Sequence, residues 1–382
     1  MFAVLATGKV PGGVAMVVKE GRTAHFRAYG SADPEGRRPM DTRSLFRIAS
    51  MTKAIVSVAL LQLVESKGLS LDLPVASILP AFRTQQVAIP ENGGFRLIDQ
   101  ARPITLRDLL THRSGISSAS EHPAFAPLFR KHGLERPLGT AFRDLAAQVD
   151  AIAAMPLVHQ PGARFSYGAS TDVIGRIVEV LSGERLDRYL RRHIFRPLGM
   201  HDTGFRVKAS NAHRLVTVCM TGRDGRLTAV DTSLFNVDFP LDRRSRYFSA
   251  AGGLVSTADD YARFLLALIG DDTGSAPRIL GAAWVDSLLT HQLGDATFIF
   301  GGIRSLNGFG LGVGLTSRPG TALTHASEGS FFWGGALNTS FLADRKRRTI
   351  TIFLFQRLPF DLAPTLSSLE RTAMDALGAA DH

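Results

Sequence analysis

The run Ala54-Ile55-Val56-Ser57-Val58-Ala59-Leu60-Leu61-Gln62-Leu63-Val64 is almost wholly apolar. A helix apolar all round is a buried helix. A second helical pattern, Val173-Ile174-Gly175-Arg176-Ile177-Val178-Glu179-Val180-Leu181, closes at Gly183, a residue that commonly ends helices. Short apolar runs bounded by turn residues predict strands over residues 14–19 and 23–29, paired as a hairpin around Glu20-Gly21. The same signals predict strands over 309–316, 339–344 and 349–356, and a closing helix over 362–377. The middle of the chain reads as helix-rich, with long connections and no internal repeat.

Candidate chemistry sits at the edges of these elements. Ser50-Met51-Thr52-Lys53 stands at the head of the apolar helix. Residues three apart share a helical face, so the lysine amine can approach the serine hydroxyl. A serine beside an amine can become a nucleophile without a histidine. The plain alternative is Ser50 as an N-cap with a snorkelling Lys53. Tyr167 follows the Pro161-Gly162 turn and precedes the second helix, a loop position from which a phenol can project into a cleft. Its plain alternative is a half-buried tyrosine with a satisfied hydroxyl. Phe331-Phe332-Trp333-Gly334-Gly335-Ala336 enters a strand. Paired glycines there point either to close approach by another backbone or a substrate carbonyl, or to a bulge beside a core tryptophan.

Together, Ser50-x-x-Lys53, Tyr167 and Trp333-Gly334-Gly335 resemble the serine β-lactamase and penicillin-binding protein superfamily. Within it the chain is most similar to the family VIII carboxylesterases, which are related to class C β-lactamases. The segments from Thr105 to Ile116, from Phe195 to Met200 and from Ala251 to Asp260 match as well. The resemblance implies an α+β, β-lactamase/DD-peptidase-like fold: an antiparallel sheet flanked by helices, plus a mostly helical lobe. Residues 1–80 and 300–382 would build the α/β lobe, and 81–299 the inserted helical lobe, with a catalytic cleft at their junction. It further implies a serine esterase for short-chain or activated carboxylic esters. Ser50 would form the acyl-enzyme, Lys53 and Tyr167 would share the base role, and the Ser50 and Ala336 N–H groups would hold the oxyanion. Trp333, Gly334 and Gly335 would contact substrate, and neither cofactor nor metal is implied.

Two departures bear on substrate class. Class C β-lactamases usually carry Tyr-x-Asn, and Ala169 stands at the third position here. They carry Lys-Thr-Gly on the edge strand, and the slot reads Trp333-Gly334-Gly335. An indole cannot replace an ammonium as the partner of a carboxylate. Both departures, and the run from Tyr167 through Asp172 to Gly175, fit the esterase branch better. Three other readings stay open: a β-lactamase or D-amino-acid peptidase, an acyltransferase of the lovastatin-synthase type, and a non-catalytic scaffold or sensor.

Composition narrows the remainder. The chain of 382 residues is long enough for one large domain or two lobes. No apolar run is expected to span a membrane, and the N-terminus lacks the basic start and long apolar run of a signal peptide. The single Cys219 is compatible with a reducing cytoplasm. No zinc-type spacing and no G-x-S-x-G elbow occur. The net charge of +10 is mostly scattered arginine. The cluster Arg345-Lys346-Arg347-Arg348 lies between two predicted strands and reads as a solvated hairpin turn. Arg243, Arg244 and Arg246 read as a surface loop, with the cleft rim as the alternative. The resemblance implies a small-molecule ester as partner, and composition adds the expectation of no nucleic acid and no membrane.

Overall fold

The computed structural model describes residues 1–91, 94–117, 125–135, 142–230, 240–241, 244–270, 277–294, 298–300, 303–305, 308–316 and 326–379. Both chain ends build one antiparallel sheet of seven strands. Its order is Gly308–Phe309, Gly314–Leu315, Phe331–Gly335, Thr339–Asp344, Thr349–Leu354, Gly12–Lys19 and Arg22–Gly30. The N-terminal hairpin turns at Glu20-Gly21 as expected, and its first strand joins the C-terminal part through Val14↔Leu354 and Val18↔Ile350. Central strands are buried on both faces. Thr339–Asp344 and Thr349–Leu354 are buried at every position, the pattern of a sheet covered on both sides. The outer strand Arg22–Gly30 is mostly exposed and carries Arg22, His25 and Arg27, charged or polar groups that discourage pairing with another edge.

On one side lies the main core. The helix Thr52–Lys67 runs through it, with nearly every residue from Thr52 to Val64 buried, and ends at Gly68 in the left-handed conformation. By length and composition the stretch Ala49–Lys67 does reach what a membrane-crossing helix needs, contrary to the expectation from sequence. Of its most apolar window, however, 78% is buried inside the fold, which makes it a core helix. It packs on Ser170–Ser182, which in turn meets Leu106–Leu110, Leu145–Ala153 and Leu186–Leu190. These helices form the helical part. The helix Ala258–Ile269, assigned by sequence to the inserted lobe, packs instead on the sheet strands Thr349–Leu354, Gly12–Lys19 and Thr339–Asp344. On the other side, Ala363–Ala379 covers the sheet around Phe353, Phe355, Leu362 and Leu366.

One predicted strand is broken. Residues 309–316 form two short strands, because Gly312 takes φ +97° in a turn closed by Gly310 N–H to Val313 O at 2.8 Å. A side chain at Gly312 would collide with Ser57 of the core helix, so the turn rests directly on that helix. The basic cluster is the hairpin turn that the sequence predicts: Arg345, Lys346 and Arg347 are exposed, and Arg345 reaches Asp286 at 3.0 Å. Arg244 and Arg246 are exposed, and Arg243 lies outside the described residues. Cys219 is buried, and burial pushes its thiol up to about 11.

Candidate active site

Ser50 lies in a single 3₁₀ turn, Ala49–Met51, that leads into the core helix. It does not cap that helix with its side chain. The residue before it, Ala49, is buried with φ +44°. That conformation is uncommon for a residue with a Cβ and is found where surrounding structure enforces it. The enforcing contacts come from the sheet: Gly335, at the end of the strand Phe331–Gly335, abuts Ile48 and Ala49 so closely that a Cβ there would lie 2.5 Å from the Ile48 carbonyl. The strand's glycine is thus required by close backbone approach, the first of the two sequence alternatives.

Lys53 is only 4% exposed. Its amine donates to Ser50 Oγ at 3.2 Å and to the Ala251 carbonyl at 2.7 Å. The same nitrogen stands 4.7 Å from the centre of the Tyr167 ring, over its face, an arrangement that favours a cation. Tyr167 occupies the loop before Ser170–Ser182, as predicted. The sequence therefore identifies three side chains that the fold does bring together, although the lysine meets the tyrosine through its ring face. Ala336 follows Gly335 at the exposed hairpin end. Neither its amide nor that of Ser50 makes a backbone hydrogen bond among the described residues.

Trp333 lies in the core, as the plainer of the two sequence readings has it. Its side of the strand faces inward, and the residue is 5% exposed. Its ring packs against Tyr167 at 5.6 Å and Phe309 at 5.4 Å. The indole forms a wall beside the tyrosine ring. Gly334 is half-buried and Gly335 buried.

Two residues escaped the sequence reading as site members, although both lie inside the segments that carry the family resemblance. His112 completes the aromatic wall, 4.8 Å from the Tyr167 ring, 5.7 Å from Phe165 and 5.8 Å from Phe309. Its backbone is left-handed, φ +52°, and its carbonyl accepts the Ser166 N–H at 2.8 Å, next to Tyr167. Burial first, and then the Lys53 charge, push its imidazole down to about 3, so it is neutral at ordinary pH. Asp172 is fully buried at the first turn of the helix after Tyr167, its carboxyl raised by burial despite the Ala251 amide, Lys53 and Ser249. No signal in one sequence separates such a carboxylate from an ordinary helix-start aspartate. Among the described residues no cluster of side chains could hold a metal ion.

A nucleophile candidate, a buried amine within hydrogen-bonding distance, a tyrosine under that amine and a strand end against the turn form one constellation. A beta-lactamase family model matches residues 2–370. The chain belongs to that family. Esterase EstB of Burkholderia gladioli is 30% identical over 357 residues, which cover 88% of this chain and 83% of that protein. Monacolin J acid methylbutanoyltransferase of Aspergillus terreus is 28% identical over 394 residues, covering 97% and 92%. Among solved structures, EstCE1, described as a hydrolase with promiscuous acyltransferase activity, superimposes with a TM-score of 0.81 at 24% identity, covering 97% of this chain and 95% of that one. Unliganded simvastatin synthase from Aspergillus terreus gives the same score at 24% identity, covering 98% and 96%. The fold is that of the serine β-lactamase-like superfamily, and this family of serine hydrolases has both esterase and acyltransferase members among its relatives.

Proposed function

We propose that this chain is a carboxylesterase of the family VIII type. It would hydrolyse uncharged, short-chain or activated esters through an acyl-enzyme on Ser50. The observation that carries this reading is the buried Lys53 amine 3.2 Å from Ser50 Oγ. Lys53, in its neutral form, accepts the Ser50 proton as Oγ attacks the ester carbonyl carbon. The tetrahedral oxyanion is held by the Ser50 and Ala336 amides, donors preorganised where negative charge develops. Collapse breaks the bond to the alkoxide, which leaves with the proton from Lys53. Water then attacks the acyl-serine, giving its proton to the same relay, and the relay returns a proton to Ser50 Oγ as its bond to the acyl carbon breaks and the acid departs. Tyr167 supports the amine from below. Its ring face stabilises the ammonium formed after proton transfer, and its hydroxyl shares the proton.

Substrate class follows from what is missing at the strand. The position where lactam-hydrolysing relatives hold an ammonium carries Trp333, turned inward. A β-lactam carboxylate therefore lacks its usual partner there. The test compares kcat/KM for p-nitrophenyl butyrate with that for nitrocefin and a cephalosporin, together with fluorophosphonate labelling followed by peptide mass spectrometry. The ester should be the better substrate and the label should sit on Ser50. Equal or greater efficiency on the lactams would overturn the esterase reading, and full activity in Ser50→Ala would overturn the nucleophile. The acyltransferase relatives give reason to add an alcohol to the assay and measure the ratio of ester to acid formed.

A further inference from the structure

The carbonyl that receives the Lys53 amine belongs to Ala251, in the turn from Ser249 to Gly253. That turn is gripped from the helix Ser170–Ser182. Asp172 Oδ1 accepts the Ala251 N–H at 3.0 Å and the Ser249 hydroxyl at 3.1 Å. Its other oxygen, Oδ2, receives the Gln148 amide at 3.4 Å. Three donors converge on this carboxyl. Burial raises the carboxyl, and these donors together with the Lys53 charge oppose that rise. One helical turn further, Gly175 lies under Ala250, and a Cβ at Gly175 would collide with the Ala250 methyl. Residues 172 and 175 share a helical face, so one face supplies both the hydrogen bonds and the close approach that fix the turn. The far end of the same segment is tied to the serine-bearing elements: Leu254 N–H donates to Thr52 Oγ1 at 3.2 Å, and Ile48 N–H to Leu254 O at 3.0 Å.

Resting on the esterase reading above, we propose that Asp172 is the positioning residue of Lys53: it fixes the Ala251 carbonyl that orients the amine and supplies the buried negative charge that balances it. Ala251 is held on both sides, its N–H by the carboxylate and its carbonyl by the ammonium. The groups facing Lys53 are then Ser50, the Tyr167 ring, the Ala251 carbonyl, neutral His112 and the Asp172 carboxyl. Asp172 is the one acidic side chain among them, and it carries the proposed negative charge. The arrangement explains why a carboxylate is buried at all. An unpaired buried carboxylate is costly, and one that shares its environment with a buried amine is compensated. Asp172 does not touch the reacting atoms. Its effect on the reaction passes through Lys53.

The test uses Asp172→Asn, which keeps shape and an acceptor oxygen for Ala251, and Asp172→Ala, which keeps neither. In Asp172→Asn, kcat should fall about 10-fold or more with KM nearly unchanged. The acid limb of kcat/KM should move to lower pH, because loss of the anion disfavours the protonated amine. Asp172→Ala should lose more of kcat, and fluorophosphonate labelling of Ser50 should slow in parallel in both variants. Asp172→Asn with the wild-type pH profile and labelling rate would overturn the inference, as would a change confined to KM. If Asp172→Ala fails to fold, the Asp172→Asn profile decides alone. Failure of the underlying reading looks different: the wild-type protein would take no label on Ser50, or Ser50→Ala would stay active.

Discussion

Lys53 has the contacts of a buried, directed amine and hardly any that a surface lysine makes. It is 4% exposed, and its donors are directed at Ser50 Oγ and the Ala251 carbonyl. Lys53→Ala and Tyr167→Phe should each lower kcat by roughly 100-fold, the scale of general-base loss, with the fold retained. Tyr167→Phe keeps the ring under the amine, so its defect measures the hydroxyl alone. The two effects should be non-additive, because both act on one proton transfer. A double mutant as slow as the product of the single losses would show two independent roles. At this scale the sequence was informative for Ser50, Lys53 and Tyr167, since a serine–lysine spacing is local and the loop before a helix is readable. It was uninformative for Trp333, whose inward orientation depends on rings contributed by His112, Tyr167 and Phe309. A second residue-level expectation concerns Glu370, buried against Ser340 at 3.1 Å, with its carboxyl raised by burial from 4.5 to about 7. A raised acid holds more proton in the folded than in the unfolded state. Its contribution is full below pH 4.5 and is lost as pH rises through about 7. Glu370→Gln should therefore gain stability relative to wild type at pH 8 and not at pH 4, measured by urea titration at both. An equal difference at the two values would show that the carboxyl does not titrate as described.

Elements matter here through contacts that side chains would spoil. The strand end at Gly335 and the turn at Ala49 touch backbone to backbone. Gly335→Ala should cost about 1–3 kcal/mol, the range for overpacking a tight site. It should also lower kcat more than it raises KM, because the displaced strand carries Ala336 away from Ser50. Chemical denaturation and steady-state kinetics on the same variant check both halves, and an unchanged kcat would remove Ala336 from the oxyanion site. The hairpin at Glu20-Gly21, the strand Thr339–Asp344 and the helix closed by Gly183 were legible because each rests on a local period or a turn signal. The break at Gly312 was not, since the turn there rests on Ser57, a residue far away in sequence.

Taken as a whole, the fold buries the titratable groups Lys53, His112 and Asp172 between sheet and helices, and that placement has a measurable signature in stability. His112 is pushed down from 6.5 to about 3 by burial and by Lys53. A lowered histidine holds less proton in the folded state, so its contribution is full above pH 6.5 and is lost as pH falls toward about 3. Each pH unit in that window corresponds to about 1.4 kcal/mol. His112→Gln should flatten the acid side of the stability curve, seen as a smaller drop in Tm between pH 6.5 and 4.5 than in wild type. An identical drop would mean that other groups set the acid limit. The overall architecture was legible because the family's landmarks run from Ser50 to Trp333, whereas which groups lose their water is decided only when both chain ends close over the core helix.

The lone thiol has a practical corollary. Cys219 is buried and holds its proton up to about 11, and thiolate rather than thiol reacts with maleimides and similar reagents. The wild-type chain is thus chemically silent toward them at neutral pH. A cysteine introduced at an exposed position such as Lys346 would be the sole handle, so a fluorophore, spin label or surface attachment could be installed at one known site without first removing any native residue.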